Sequence, residues 1–112
     1  MNTTAQEHVF KALADPTRRA MLNLLRESDR SVSELASPFE MSQPAISQHL
    51  KILKDAGLVA ARRSGRQQVY SLDPAPLKEV YDWLAHFERF WDRKLDALGA
   101  YLEKMHEKRS ET

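Results

Sequence analysis

Apolar residues recur at helical spacing through most of the chain, and the period shortens in only one region. Val9, Ala12 and Leu13 share one side of a short helix predicted over residues 5–14. Ala20, Met21, Leu24 and Leu25 do the same for a second helix over 16–27, with Asp15 as its cap and Pro16 opening it. Arg18 and Arg19 lie at the start of that helix, the unfavourable end of its dipole for cations, and read as solvated arginines. Ser31-Val32-Ser33-Glu34 is a capping box, in which Ser31 takes the N-cap and Glu34 reaches back to it. The helix so begun is short because Pro38 stops it. Phe39 and Met41 are then expected to point inward across a tight connection.

Residues 41–57 form the next helical segment, with Ser42 at its N-cap, Pro44 in its first turn and Gly57 as its terminator. Ile46, Leu50 and Leu53 make one face, and Gln43, Ser47, Gln48 and Lys51 make the opposite one. Taken alone, that polar face is an ordinary solvated surface. It also has the chemistry of a helix that lies in the major groove: a Gln amide donates and accepts together, as the adenine edge requires, and a Ser hydroxyl serves either role. After Gly57 the period becomes two. Residues 58–63 and 67–72 read as a two-stranded hairpin, with Gly65 supplying the positive φ of its turn. Arg62, Arg63 and Arg66 stand at its tip with no acid expected beside them. Two helices joined by a tight connection and followed by a basic hairpin form a helix-turn-helix with a wing.

Asp73-Pro74-Ala75-Pro76 starts a last helix. From Leu77 to Lys108 no proline interrupts, which predicts roughly 31 residues and a rod of roughly 46 Å. Leu77, Tyr81, Leu84, Phe87, Trp91, Leu95, Leu98, Leu102 and Met105 are spaced by threes and fours, and Trp83, Phe90 and Tyr101 widen the stripe. Residues 1–72 are too few to cover so long an apolar surface, so a second copy is expected on it, with Leu84, Phe87, Trp91, Leu95, Leu98 and Leu102 as the dimerisation face. The fold class is therefore mainly α with a small β-hairpin wing: a winged helix-turn-helix with a long C-terminal dimerisation helix. Within one domain, 1–112, the helix-turn-helix falls at about 31–57, the wing at 58–72 and the dimerisation helix at about 76–108.

Composition narrows the function. The chain has no cysteine, which excludes disulfides, thiolate metal sites and thiol redox chemistry. No apolar run has the length or position of a signal core or membrane span, so a cytoplasmic protein with no membrane partner is expected. The formal charge is +1 overall, but residues 41–72 hold 5 Lys/Arg against 1 Asp/Glu. The positive excess thus lies on the segment that would approach phosphates. No nucleophile–base spacing, phosphate-cradling glycine loop or carboxylate pair indicates an enzyme, and no cofactor is implied.

The chain resembles the ArsR/SmtB family of bacterial winged-helix repressors over essentially its full length. The resemblance rests on Phe10-Lys11-Ala12-Leu13-Ala14-Asp15-Pro16-Thr17-Arg18-Arg19, on Ser42-Gln43-Pro44-Ala45-Ile46-Ser47-Gln48-His49-Leu50, and on Ala56-Gly57-Leu58-Val59. It implies a homodimer that binds a near-palindromic, double-stranded DNA operator and represses transcription. Metal sensors of that family carry cysteines where this chain has Ser31, Ser33 and, at a further site, Ala36, and hydroxyls do not replace thiolates on soft metals. Other members use Asp and His on the last helix. The matching candidates are Asp82, His86 and His106, but the family's Asp-x-His spacing is absent, and no metal site is expected. On the recognition helix Ser42 and Lys51 would anchor, Gln43, Ser47 and Gln48 would read bases, and His49 would either pack half-buried or donate to a phosphate. Arg62, Arg63 and Arg66 would bind backbone. Two alternatives stand beside this reading. One is a dimerising interaction module that does not read DNA, which would call for a neutral wing and an apolar recognition face. The other is a metal- or ligand-gated repressor, with Trp83, Phe87, Phe90 and Trp91 lining a pocket instead of a dimer core. The pattern names no effector.

Overall fold

The computed structural model describes residues 3–110, and the side chains among them other than those of Thr3, 91–92 and 106–110. The elements in chain order are α1 (Thr3–Leu13), α2 (Pro16–Glu27), β1 (Arg30–Ser31), α3 (Val32–Ala36), α4 (Gln43–Asp55), β2 (Val59–Ser64), β3 (Gln67–Leu72), α5 (Ala75–Ala85) and α6 (Glu88–Ser110). The chain divides into a head ending at Val80 and a helical unit beginning at Tyr81. No helix among the described residues is long and apolar enough to cross a membrane.

Short-range chemistry fixes most boundaries of the head. The Asp15 carboxylate accepts from Arg18 N at 3.1 Å, and Pro16 follows it where a missing N–H costs nothing. In the capping box, Glu34 N donates to Ser31 Oγ at 3.2 Å and Ser31 N donates to Glu34 Oε1 at 3.1 Å. Ser42 Oγ accepts from Ala45 N at 3.3 Å and opens α4. At the other end Gly57 adopts φ 77°, its N–H donates to Lys54 O at 2.9 Å, and Leu58 N donates to Leu53 O at 3.0 Å. That pair of bonds is a Schellman motif, and Leu53 and Leu58, both fully buried, supply its hydrophobic contact.

The core gathers Met21, Leu35, Ile46, Leu50, Leu53 and Leu58, with Val9, Ala12, Leu22 and Leu25 beside them. Leu22 is in this core although the expected face of α2 did not include it, and Ala20 is only half-buried. Phe39 packs against the core as expected. Met41 does not: it is 40% exposed, because the connection turns outward before the Ser42 cap.

The sheet has three strands, not the expected two, in the antiparallel order β1-β3-β2. Ser64 pairs with Gln67 across a two-residue turn, in which Gly65 takes φ 63°. β1 adds Arg30↔Tyr70 and Ser31↔Val69 on the far side of β3. Two residues are too few to show a period, so this strand has no signature of its own in the sequence.

The last helix is also interrupted. His86 N donates to Trp83 O at 3.2 Å and Phe87 N to Leu84 O at 3.0 Å, so the four-residue ladder tightens to three and ends α5 before Glu88 begins α6. The His86 ring contributes, with Nδ1 3.2 Å from the same Trp83 carbonyl.

The capping box gives the head an acid-sensitive element. The Glu34 carboxyl lies below its ordinary 4.5, chiefly because it accepts from the Ser31 backbone N–H. A carboxylate with a lowered folded-state pKa contributes stability that is present above about pH 4.5 and lost as pH falls through the lowered value. Glu34→Gln should therefore flatten the acid limb of the urea midpoint measured between about pH 5 and 2.

Candidate nucleic-acid interface

Helix α4 divides into two faces. Ile46, Leu50 and Leu53 are at most 1% exposed and seat the helix on the head, against α1, α2 and β2. Gln43, Ser47, Gln48 and Lys51 are all exposed on the other side. Ser42 is exposed too, but its hydroxyl is occupied as the cap. Lys51 Nζ lies 2.9 Å from Asp55 Oδ2, a surface pair of two exposed side chains. Such pairs contribute at most about 0.5 kcal/mol, so Lys51 can exchange this partner for another anion at little cost.

His49 belongs to neither face. Its side chain is 16% exposed, and Nδ1 sits 3.2 Å from Arg18 Nη1 and 3.9 Å from Asp15 Oδ2. Arg18 is the larger surprise: the expected solvated arginine is buried, 8% exposed. Its Nε donates to Ala12 O at 2.8 Å and its Nη2 to Lys11 O at 2.9 Å. Arg19 Nη1 donates to Leu13 O at 2.8 Å. Both cations stand at the wrong end of their own helix because they serve the right end of another, filling the last carbonyls of α1. Two arginines placed against a helix dipole, immediately after a helix end, were the available signal for this. Asp15 is held below its ordinary 3.8, first by the Arg18 N–H and then by the charge of the Arg18 guanidinium.

The wing carries its three arginines in different states. Arg62 Nη1 lies 2.8 Å from Asp29 Oδ2, so the expectation of an acid-free cluster fails for this residue. Asp29 is 33 positions away in sequence and comes within reach through the loop between α2 and β1. Arg63 Nε donates to Gly65 O at 3.4 Å, and Arg66 is exposed at the turn.

In the helical unit Leu84, Phe87, Leu95, Leu98 and Leu102 are all exposed, between 39% and 56%. Trp83 and Phe87 meet edge to face at 5.2 Å, and Lys94 Nζ stands 5.8 Å over the Phe90 ring. The side chains of Trp91 and His106, expected for dimerisation and as a candidate metal ligand, lie outside the described residues. Among the described residues no three His, Asp or Glu side chains gather as a metal site would require. Ser31 is buried as a cap, and Ser33 is exposed.

Residues 15–61 match the model of the "Bacterial regulatory protein, arsR family". The transcriptional repressor SdpR of Bacillus subtilis is 40% identical over 88 residues, which cover 79% of this chain and 98% of SdpR. Among solved structures, the ArsR family transcriptional regulator RHA00566 superposes with a TM-score of 0.76 at 36% identity, covering 82% of this chain and 95% of that one. The homodimeric winged helix-turn-helix DNA-binding domain of Mb0332 from Mycobacterium bovis superposes with a TM-score of 0.62 at 34% identity, covering 76% of this chain and 82% of that one.

Proposed function

The chain belongs to the arsR family of bacterial regulatory proteins, which are DNA-binding transcriptional regulators, and on that premise we propose that it is a homodimeric repressor of a near-palindromic operator. The observation that carries the reading is the division of α4: three buried apolar residues seat it, and an exposed polar face of Gln43, Ser47, Gln48 and Lys51 stands beside a basic wing. Gln43, Ser47 and Gln48 read base edges in the major groove. Lys51, Arg63 and Arg66 neutralise phosphates. Arg62 joins them only by leaving Asp29. The name of the Bacillus subtilis relative supports repression, and the homodimeric neighbour supports pairing, for which the exposed apolar residues of α6 offer a surface. Two recognition helices then meet half-sites roughly 34–36 Å apart. The deciding experiment is binding of the purified chain to its own upstream DNA against random DNA of equal length, titrated with salt. A preference for the upstream DNA with two protomers per site bears the proposal out, and equal binding to both removes it.

Gln48→Ala should relax the preference at one base position in each half-site, by about 1–3 kcal/mol in a binding assay over all four bases there. Uniform weakening for every base would remove Gln48 from base reading. Arg63→Ala should lower affinity for every sequence alike and flatten the salt slope by about one unit for each wing engaged. Asp29→Asn should do the opposite, steepening the slope, because it frees Arg62 for a phosphate. Leu98→Glu should shift the chain to monomer in sedimentation velocity at micromolar concentration while the circular dichroism of the head persists. A dimer that survived this change would place the interface elsewhere.

A further inference from the structure

Ile46, Leu50 and Leu53 hold α4 on the head by apolar contact. The free energy of that burial follows the area removed from water and has no direction, so it penalises a small turn of the helix less sharply than a hydrogen bond does. Base reading is less forgiving. A rotation of about 10° moves a side-chain tip at a radius of roughly 6 Å by about 1 Å. That distance spans the difference between a good hydrogen bond and none. A directional contact on the flank of the helix refines what packing alone sets.

We infer that Arg18 is the positioning residue of the recognition helix, setting the rotation of α4 through Nδ1 of His49. The inference rests on the DNA-reading role of α4 proposed above. His49 lies on the flank between the buried and exposed faces, adjacent in sequence to Gln48, with its ring mostly enclosed. Arg18 is buried and rigidly referenced: its other donors end on the carbonyls of Lys11 and Ala12, so the guanidinium is fixed to the end of α1. A guanidinium only donates, so Nδ1 of His49 must accept, and the neutral ring carries its proton on Nε2. Asp15, 3.9 Å from the same nitrogen, is ionised and only accepts, so it cannot take over from Arg18 as donor to a neutral ring. The bond between Arg18 and His49 is thus a directional link from the α1–α2 junction to the helix that carries the reading side chains.

Arg18→Met removes the link but also strips two carbonyls at the end of α1, so a pair of changes at His49 keeps the test independent of folding. His49→Leu deletes the acceptor, whereas His49→Asn places Oδ1 near the position of Nδ1 and restores it. The full-length chain is titrated against a duplex selected by the wild type from random sequence, and against unselected duplex of the same length, at a temperature where circular dichroism shows each variant folded. His49→Leu is expected to lower the ratio of the two affinities about tenfold or more while binding to unselected duplex stays within about twofold, and His49→Asn is expected to recover most of the ratio. If His49→Leu keeps the wild-type ratio, or His49→Asn loses as much as His49→Leu, Arg18 does not position the helix. A wild type that selects no sequence overturns the DNA-reading premise instead, whatever stands at position 49.

Discussion

A guanidinium taken out of water must have its donors filled, and Arg18 fills them at the end of one helix and on the flank of another. The charge is tolerable where it lies because α1 presents the negative end of its dipole and unpaired carbonyls there, and the Asp15 carboxylate stands close by. One side chain, carried on α2, therefore touches α1 and α4 as well and adds directional contacts to the apolar packing between them. The tight link Ala14-Asp15 makes this possible by bringing the end of α1 against the start of α2.

Around that anchor, the head is assembled from local backbone devices. Asp15, Ser31 with Glu34, and Ser42 each open a helix by accepting a backbone N–H, and Gly57 closes α4 in a left-handed conformation. Each device acts over three or four residues, so the points at which the helices start and stop are set locally. The core then needs only to fill the space between them, with Met21, Ile46 and four leucines at the centre. Function follows from what this leaves over. The polar face of α4 has no structural duty except at its cap, and the wing's arginines have little.

Because those devices are local, they are legible in sequence. The starts of α2, α3 and α4, the end of α4 and the turn at Gly65 all lie where the caps and glycines put them. The polar face of α4 is legible for the same reason, through its 3.6-residue period. What sequence did not disclose depends on contacts between distant positions. The pairing of Arg62 with Asp29, the seating of His49 on Arg18 and the pairing of β1 with β3 each join residues some 30 or more positions apart. Met41 is apolar yet exposed, since an apolar residue in a tight connection need not face the core. The break between α5 and α6 has neither proline nor glycine to announce it, and the apolar stripe runs through it with unchanged spacing.

The third strand ties the wing to more than its own turn. Ser31 pairs with Val69 and also caps α3, so β3 is hydrogen-bonded to the residue from which the helix-turn-helix begins. The base of the hairpin and the start of the helix-turn-helix are therefore joined through one residue. Beyond that pairing, residues 63–68 bond only to one another. A hairpin tip held in this way can gain or lose residues without disturbing the pairing at its base, so the reach of the wing is separable from the geometry of the head.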